Sequence, residues 1–79
     1  DFDSYIGYEG ETTDNIKLGK LVDIDDSTSN VLFVFEKEGG DTILIPHCDE
    51  FLIEVDNVKK ILVFNLPEGL VELNEKNEK

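Results

Sequence analysis

Hydrophobic residues recur along this chain in short runs separated by Gly, Asp, Asn and Ser, and within most runs apolar and polar positions alternate. A repeat of two is the mark of extended backbone, whose side chains point to opposite faces in turn. The strongest runs are Val31-Leu32-Phe33-Val34-Phe35 and Thr42-Ile43-Leu44-Ile45-Pro46, joined by Glu36-Lys37-Glu38-Gly39-Gly40-Asp41. Two β-branched and aromatic runs around a Gly-Gly predict a β-hairpin, with Gly39 or Gly40 accepting the positive φ of the reversal. Pro46 ends the second strand because it has no N–H to give a ladder. Val31 to Phe35 is apolar at every position, which predicts an interior strand covered on both sides.

The remaining runs are weaker. Tyr5 to Tyr8 predicts a first strand, with Gly7 as a bulge or a close approach of another backbone. Glu11 to Asn15 is turn-like, with the reversal at Asp14-Asn15. Ile16 to Ile24 predicts a second strand that buries Leu18, Val22 and Ile24, with Lys20 on their face, and bends at Gly19. Asp25 to Asn30 is a run of turn formers. Phe51, Ile53 and Val55 alternate with Leu52, Glu54 and Asp56, predicting a half-exposed strand. Asp56 to Lys59 reverses the chain into a last strand over Lys60 to Leu66, and Pro67 and Gly69 close it. The sum is all-β: a small closed or partly open barrel of five to six short antiparallel strands, since closure removes unpaired sheet edges.

Size fits this reading. With 79 residues there is room for one core, about 60% of the unfolded surface being buried in so small a domain. We expect residues 1–71 to form the folded domain. Glu72 to Lys79 has little apolar content and is expected to be a disordered charged tail. The chain opens Asp1-Phe2-Asp3 and holds no methionine, so the expectation is a piece of a longer protein. No apolar run reaches the ~18 residues of a membrane span, and a soluble domain is expected. One cysteine, Cys48, leaves no internal disulfide.

Charge changes the functional picture more than size does. Nineteen acids stand against seven basic residues, all lysine, for a net charge of −12. Arginine is the favoured bidentate partner of guanine and phosphate, so its absence argues against direct nucleic-acid binding. A surface of this sign draws basic proteins. Candidate chemistry is thin. His47-Cys48-Asp49-Glu50 is the one place where His, Cys and carboxylates meet, but neighbours in extended chain point apart and a zinc site needs about four ligands. A calcium loop beginning at Asp23 would need glycine at Thr28 and a carboxylate at Val34. Neither catalysis nor a metal or other cofactor is expected, and His47 to Glu50 reads as a short turn.

Taken in order, Ile6-Gly7, Leu18-Gly19-Lys20-Leu21-Val22-Asp23-Ile24, Asn30-Val31-Leu32, Ile43-Leu44-Ile45-Pro46, Phe51-Leu52 and Leu66-Pro67-Glu68-Gly69-Leu70 resemble the C-terminal domain of the ribosome maturation factor RimM, a PRC-barrel. The resemblance spans roughly residues 5–70. It implies a cytoplasmic bacterial assembly factor with a preceding β-barrel domain. Such a factor takes part, without catalysis, in ribosome biogenesis, small-subunit maturation and ribosomal RNA processing, as a chaperone of assembly. It also implies binding to a basic ribosomal protein, protein nineteen of the small subunit, in the head of the pre-mature subunit. A family pair of tyrosines before the first strand has no matching pair here; the nearest aromatics are Phe2 and Tyr5.

Joining charge to resemblance, the expected contact residues are Phe2, Tyr5 and Tyr8 as apolar anchors, with Asp49, Glu50 and Glu68 as the acidic surround. Equally, at least two of these three aromatics could serve only to cap the core. A stand-alone PRC-barrel scaffolding an electron-transfer or membrane-associated complex stays open as an alternative.

Overall fold

The computed structural model describes residues 2–70, and the expectations for Val71 and for the tail lie outside the described residues. Six strands form one sheet: β1 (Glu9–Thr12), β2 (Lys17–Asp25), β3 (Leu32–Glu36), β4 (Thr42–Pro46), β5 (Leu52–Asp56) and β6 (Ile61–Phe64). Their order across the sheet is β4-β3-β2-β1-β6-β5. The all-β reading holds in its partly open form, with one correction, to strand direction. The sheet is a curled, open one that ends at β4 and β5, so it is not closed by a hydrogen-bonded seam. It is also mixed: β1 and β6 run parallel, Glu9 opposite Ile61 and Thr12 opposite Phe64, while every other pair is antiparallel. The first and last strands thus lie side by side in the middle of the sheet.

The curl is visible in the core. Three strand steps separate β3 from β6, about 14 Å in a flat sheet, yet the Phe33 and Phe35 rings lie 5.9 and 5.7 Å from the Phe64 ring. Leu18, Leu21, Ile43, Ile45 and Leu62 complete the interior, all fully buried with the three phenylalanines. Edge-to-face phenylalanine pairs hold the two halves of the sheet together more firmly than area alone would.

The central hairpin is as the pattern predicts, Phe33 opposite Ile45 and Phe35 opposite Ile43. Gly39 and Gly40 both carry positive φ in its turn. It is not covered on both sides, however: Phe33 and Phe35 are buried, whereas Leu32 and Val34 on the other face are only half-buried.

β-Bulges correct the predicted faces. In β2 the register slips twice, against β1 between Lys17 and Gly19 and against β3 between Leu21 and Asp23. The first slip turns Leu21 inward and Val22 outward and the second turns Ile24 back, so the buried set is Leu18 and Leu21, with Ile24 half-buried against the core. In β5 the slip falls between Leu52 and Glu54; Ile53 turns out to solvent while Leu52 and Val55 pack on the core. A bulge places two residues opposite one and shifts the alternation beyond it.

The first strand also differs. Phe2–Tyr5 is a short 3-10 turn, Gly7 at φ 97° belongs to the bend after it, and β1 starts only at Glu9. Its inward positions are Gly10 and Thr12, which carry no hydrophobic signal. Gly10 is required because the Phe35 ring occupies the space of its side chain: a Cβ there would lie 2.5 Å from Phe35 Cε1. The Thr12 hydroxyl, buried, accepts from Ile16 N at 3.0 Å and ties the β1–β2 turn, where Asn15 takes φ 68°.

Candidate protein-binding end of the sheet

The 3-10 turn crosses the end of the sheet where β2, β3 and β4 begin or finish. Gly7 N donates to Leu21 O and Leu21 N to Tyr8 O, each at 2.8 Å, which clamps the N-terminal segment to β2. The Phe2 ring, so placed, meets Phe33 edge-on at 5.4 Å and the His47 ring at 4.6 Å. Tyr5 stacks at a tilt between Phe2 and Tyr8, 6.5 and 5.4 Å from their rings. Phe2 and Tyr5 are half-buried, each keeping part of its ring in solvent.

Tyr8 is different. Only 8% of it is exposed, its hydroxyl donates to Asn57 Oδ1 at 2.8 Å, and the Lys60 ammonium sits 5.4 Å from its ring centre. It locks the N-terminal segment to the β5–β6 turn, and supports Tyr5 from beneath.

Asp49, Glu50 and Glu68 arrive from two connections. His47 N donates to Val31 O at 2.8 Å, which sets the loop after β4 beside the start of β3. One hydrogen-bonded turn follows, Phe51 N donating to Cys48 O at 2.9 Å, and it leaves Asp49 and Glu50 in solvent. Asp49 lies 4.0 Å from His47 Nε2, and the Cys48 thiol 3.9 Å from Glu50 Oε1. His47 Nδ1 is buried against Phe2 without a hydrogen-bond partner. Asn65 N donates to Phe51 O at 2.7 Å, which brings the closing Leu66–Leu70 turn, with exposed Glu68, toward the same loop. Leu66 and Leu70 pack on the core.

Phe2 also forms a wall of an open cleft of about 220 Å³ with Asp3, Ile24, Asp26 and Val31. Sequence reasoning passed over these four because only the fold sets the N-terminal turn beside the β2–β3 loop. Asp25 opens that loop: its carboxylate accepts from Ser27 N at 3.1 Å and Ser27 Oγ at 2.8 Å, and these bonds, backbone first, hold its pKa below the ordinary 3.8. Among the described residues no three of His, Cys, Asp or Glu are placed to hold a metal ion, and no helix is long and apolar enough to cross a membrane.

What the geometry defines is a small curled-sheet domain with half-buried aromatics at one end, Phe2 sharing a cleft with Asp3 and Asp26. Residues 2–70 match the family description RimM PRC barrel domain. The ribosome maturation factor RimM of Bacteroides thetaiotaomicron is 38% identical over 74 residues, 94% of this chain and 41% of that protein. The protein of the same name from Phocaeicola vulgatus is 42% identical over 67 residues, 85% of the chain and 38% of that protein. Among solved structures, a 16S ribosomal RNA processing protein RimM from Pseudomonas aeruginosa superposes with a TM-score of 0.74 over 85% of this chain and 43% of that one, at 13% identity, a likeness of fold. The chain therefore belongs to the RimM PRC-barrel family, and it spans about two fifths of the length of the curated relatives it matches.

Proposed function

We propose that this chain is the non-catalytic docking domain of a ribosome maturation factor, acting in the bacterial cytoplasm on the pre-mature small subunit by binding a basic ribosomal protein, protein nineteen, in its head. It works joined to a preceding β-barrel domain. The observation that carries this reading is the family match across residues 2–70 on a chain with a net charge of −12 and no arginine. Relatives that match nearly the whole chain are themselves named ribosome maturation factors. Phe2 and Tyr5, backed by Tyr8, are the anchors, and Asp49, Glu50 and Glu68 attract the cationic partner. Carboxylates in water chiefly speed encounter and select the partner's sign; half-buried aromatics supply the affinity.

The test is capture from isolated small-subunit components on the immobilised chain, at about 0.05 M and about 0.5 M NaCl, salt that shortens the reach of exposed charges from roughly 14 Å to a few Å. One basic head protein is expected, retained at low salt and lost at high. The Phe2→Ala/Tyr5→Ala double variant should weaken its binding about tenfold, the effect of removing ~1.4 kcal/mol of contact. Recovery of RNA alone would refute the proposal.

A further inference from the structure

The register slips of β2 leave an unexpected feature on the outside of the sheet. Along the outer face of β2, β3 and β4 the register aligns Val22 and Asp23 with Val34, and Val34 with Leu44. The next row sets Leu32 between Asp25 and Pro46. Val22 and Leu44 are each 41% exposed, and Val34 and Leu32 half-buried. Cross-strand neighbours on one face lie about 5 Å apart, so these residues make one strip. Single exposed apolar residues are ordinary; a strip running in register over three strands marks an interaction surface.

Its border carries a sign. Asp23 lies within the strip beside Val22, Asp25 ends the second row, and Glu36 stands in the row on the far side, opposite Lys20 and Thr42. Three carboxylates thus face one lysine around an apolar centre. A second copy of the chain, itself at −12, would bring like charges together across such a contact.

We infer that the outer face of β2, β3 and β4, centred on Val22, Val34 and Leu44, is a docking surface for a basic protein segment that carries an apolar side chain among its lysines or arginines. This rests on the proposed binding of a basic ribosomal protein, and adds a second contact on a face separate from the Phe2 end.

The test is the Val22→Ser/Leu44→Ser double variant, whose altered side chains are exposed, with the fold checked by far-UV circular dichroism. Binding kinetics are read on the immobilised chain with the basic proteins extracted from the small subunit. An apolar anchor acts after encounter, so dissociation should quicken about tenfold while the on-rate and its salt dependence stay within about twofold. Unchanged dissociation, with the wild type still capturing a basic protein, overturns the docking face and leaves the proposed function standing. A wild type that captures none overturns both. Light scattering that shows the wild type dimeric and the double variant monomeric assigns the face to a second copy, which also overturns the inference.

Discussion

At the scale of single residues, Tyr8 joins two distant parts of the chain. Its ring closes one end of the core and its hydroxyl reaches Asn57, 49 positions along the chain. Losing the hydroxyl alone leaves the ring packed and frees an exposed amide that water can partly satisfy. Tyr8→Phe should therefore cost about 1 kcal/mol, read as a lower denaturant midpoint at unchanged slope. The residue was visible in sequence as an aromatic among acids, but its partner was not. Asn57 reads locally as a turn former, and so it is: the neighbouring Asp56 carboxylate accepts from Val58 N and Lys59 N at 3.0 and 2.9 Å. Phe2 and Tyr5 show the same split, since their chemistry was plain while their resting place against Phe33 and His47 came from the fold.

At the scale of elements, β2 carries the features that bend the sheet. Gly19 takes φ 97° inside the strand, and a Cβ there would overlap the Glu36 carbonyl oxygen and come within 2.6 Å of its carbon. Both obstacles are backbone and cannot swing aside. Gly19→Ala should lose at least about 2 kcal/mol in equilibrium unfolding, from the left-handed conformation and the clash together. That Gly19 turns a corner was legible, because glycine in an apolar run rarely has another use. The extra residues in β2 were not. Alternation from Leu18 sends Val22 inward, and nothing nearby announces that β1 sets two residues opposite Lys17 to Gly19, which turns Leu21 in and Val22 out; β3 then sets Val34 alone against Val22 and Asp23 and turns Ile24 back. Ile53 in β5 was misplaced for the same reason. β1 fell outside reach altogether, since Glu-Gly-Glu-Thr becomes a strand only with β2 and β6 on either side and the Phe35 ring over Gly10.

For the whole molecule, charge is the governing quantity. Among the described residues, the pair of Lys17 with Glu11 at 2.7 Å does little to offset a net charge of −12, since it stands in water, where such a pair contributes at most about 1 kcal/mol. The folded state concentrates this charge more than the unfolded chain does. Raising NaCl from about 0.02 M to about 0.2 M should screen the repulsion and lift the thermal midpoint by a few degrees, on the order of 0.5–1 kcal/mol for a domain of this size. An unchanged or falling midpoint would show that the carboxylates do not strain the fold. The same self-repulsion disfavours pairing between copies and favours a cationic partner.

Turns at Gly39-Gly40, Asp25 to Asn30 and Asp56 to Lys59, the central hairpin, the all-β class and the acidic surface were written in the sequence, because each depends on the chemistry of a few adjacent residues or on a sum over all of them. The parallel meeting of β1 with β6, the outward turn of Val22 and Ile53, and the packing of Phe2 on His47 were decided by the tertiary structure. Each depends on how many residues a distant strand sets opposite, and a pairing such as Glu9 with Ile61 leaves no trace in either segment alone.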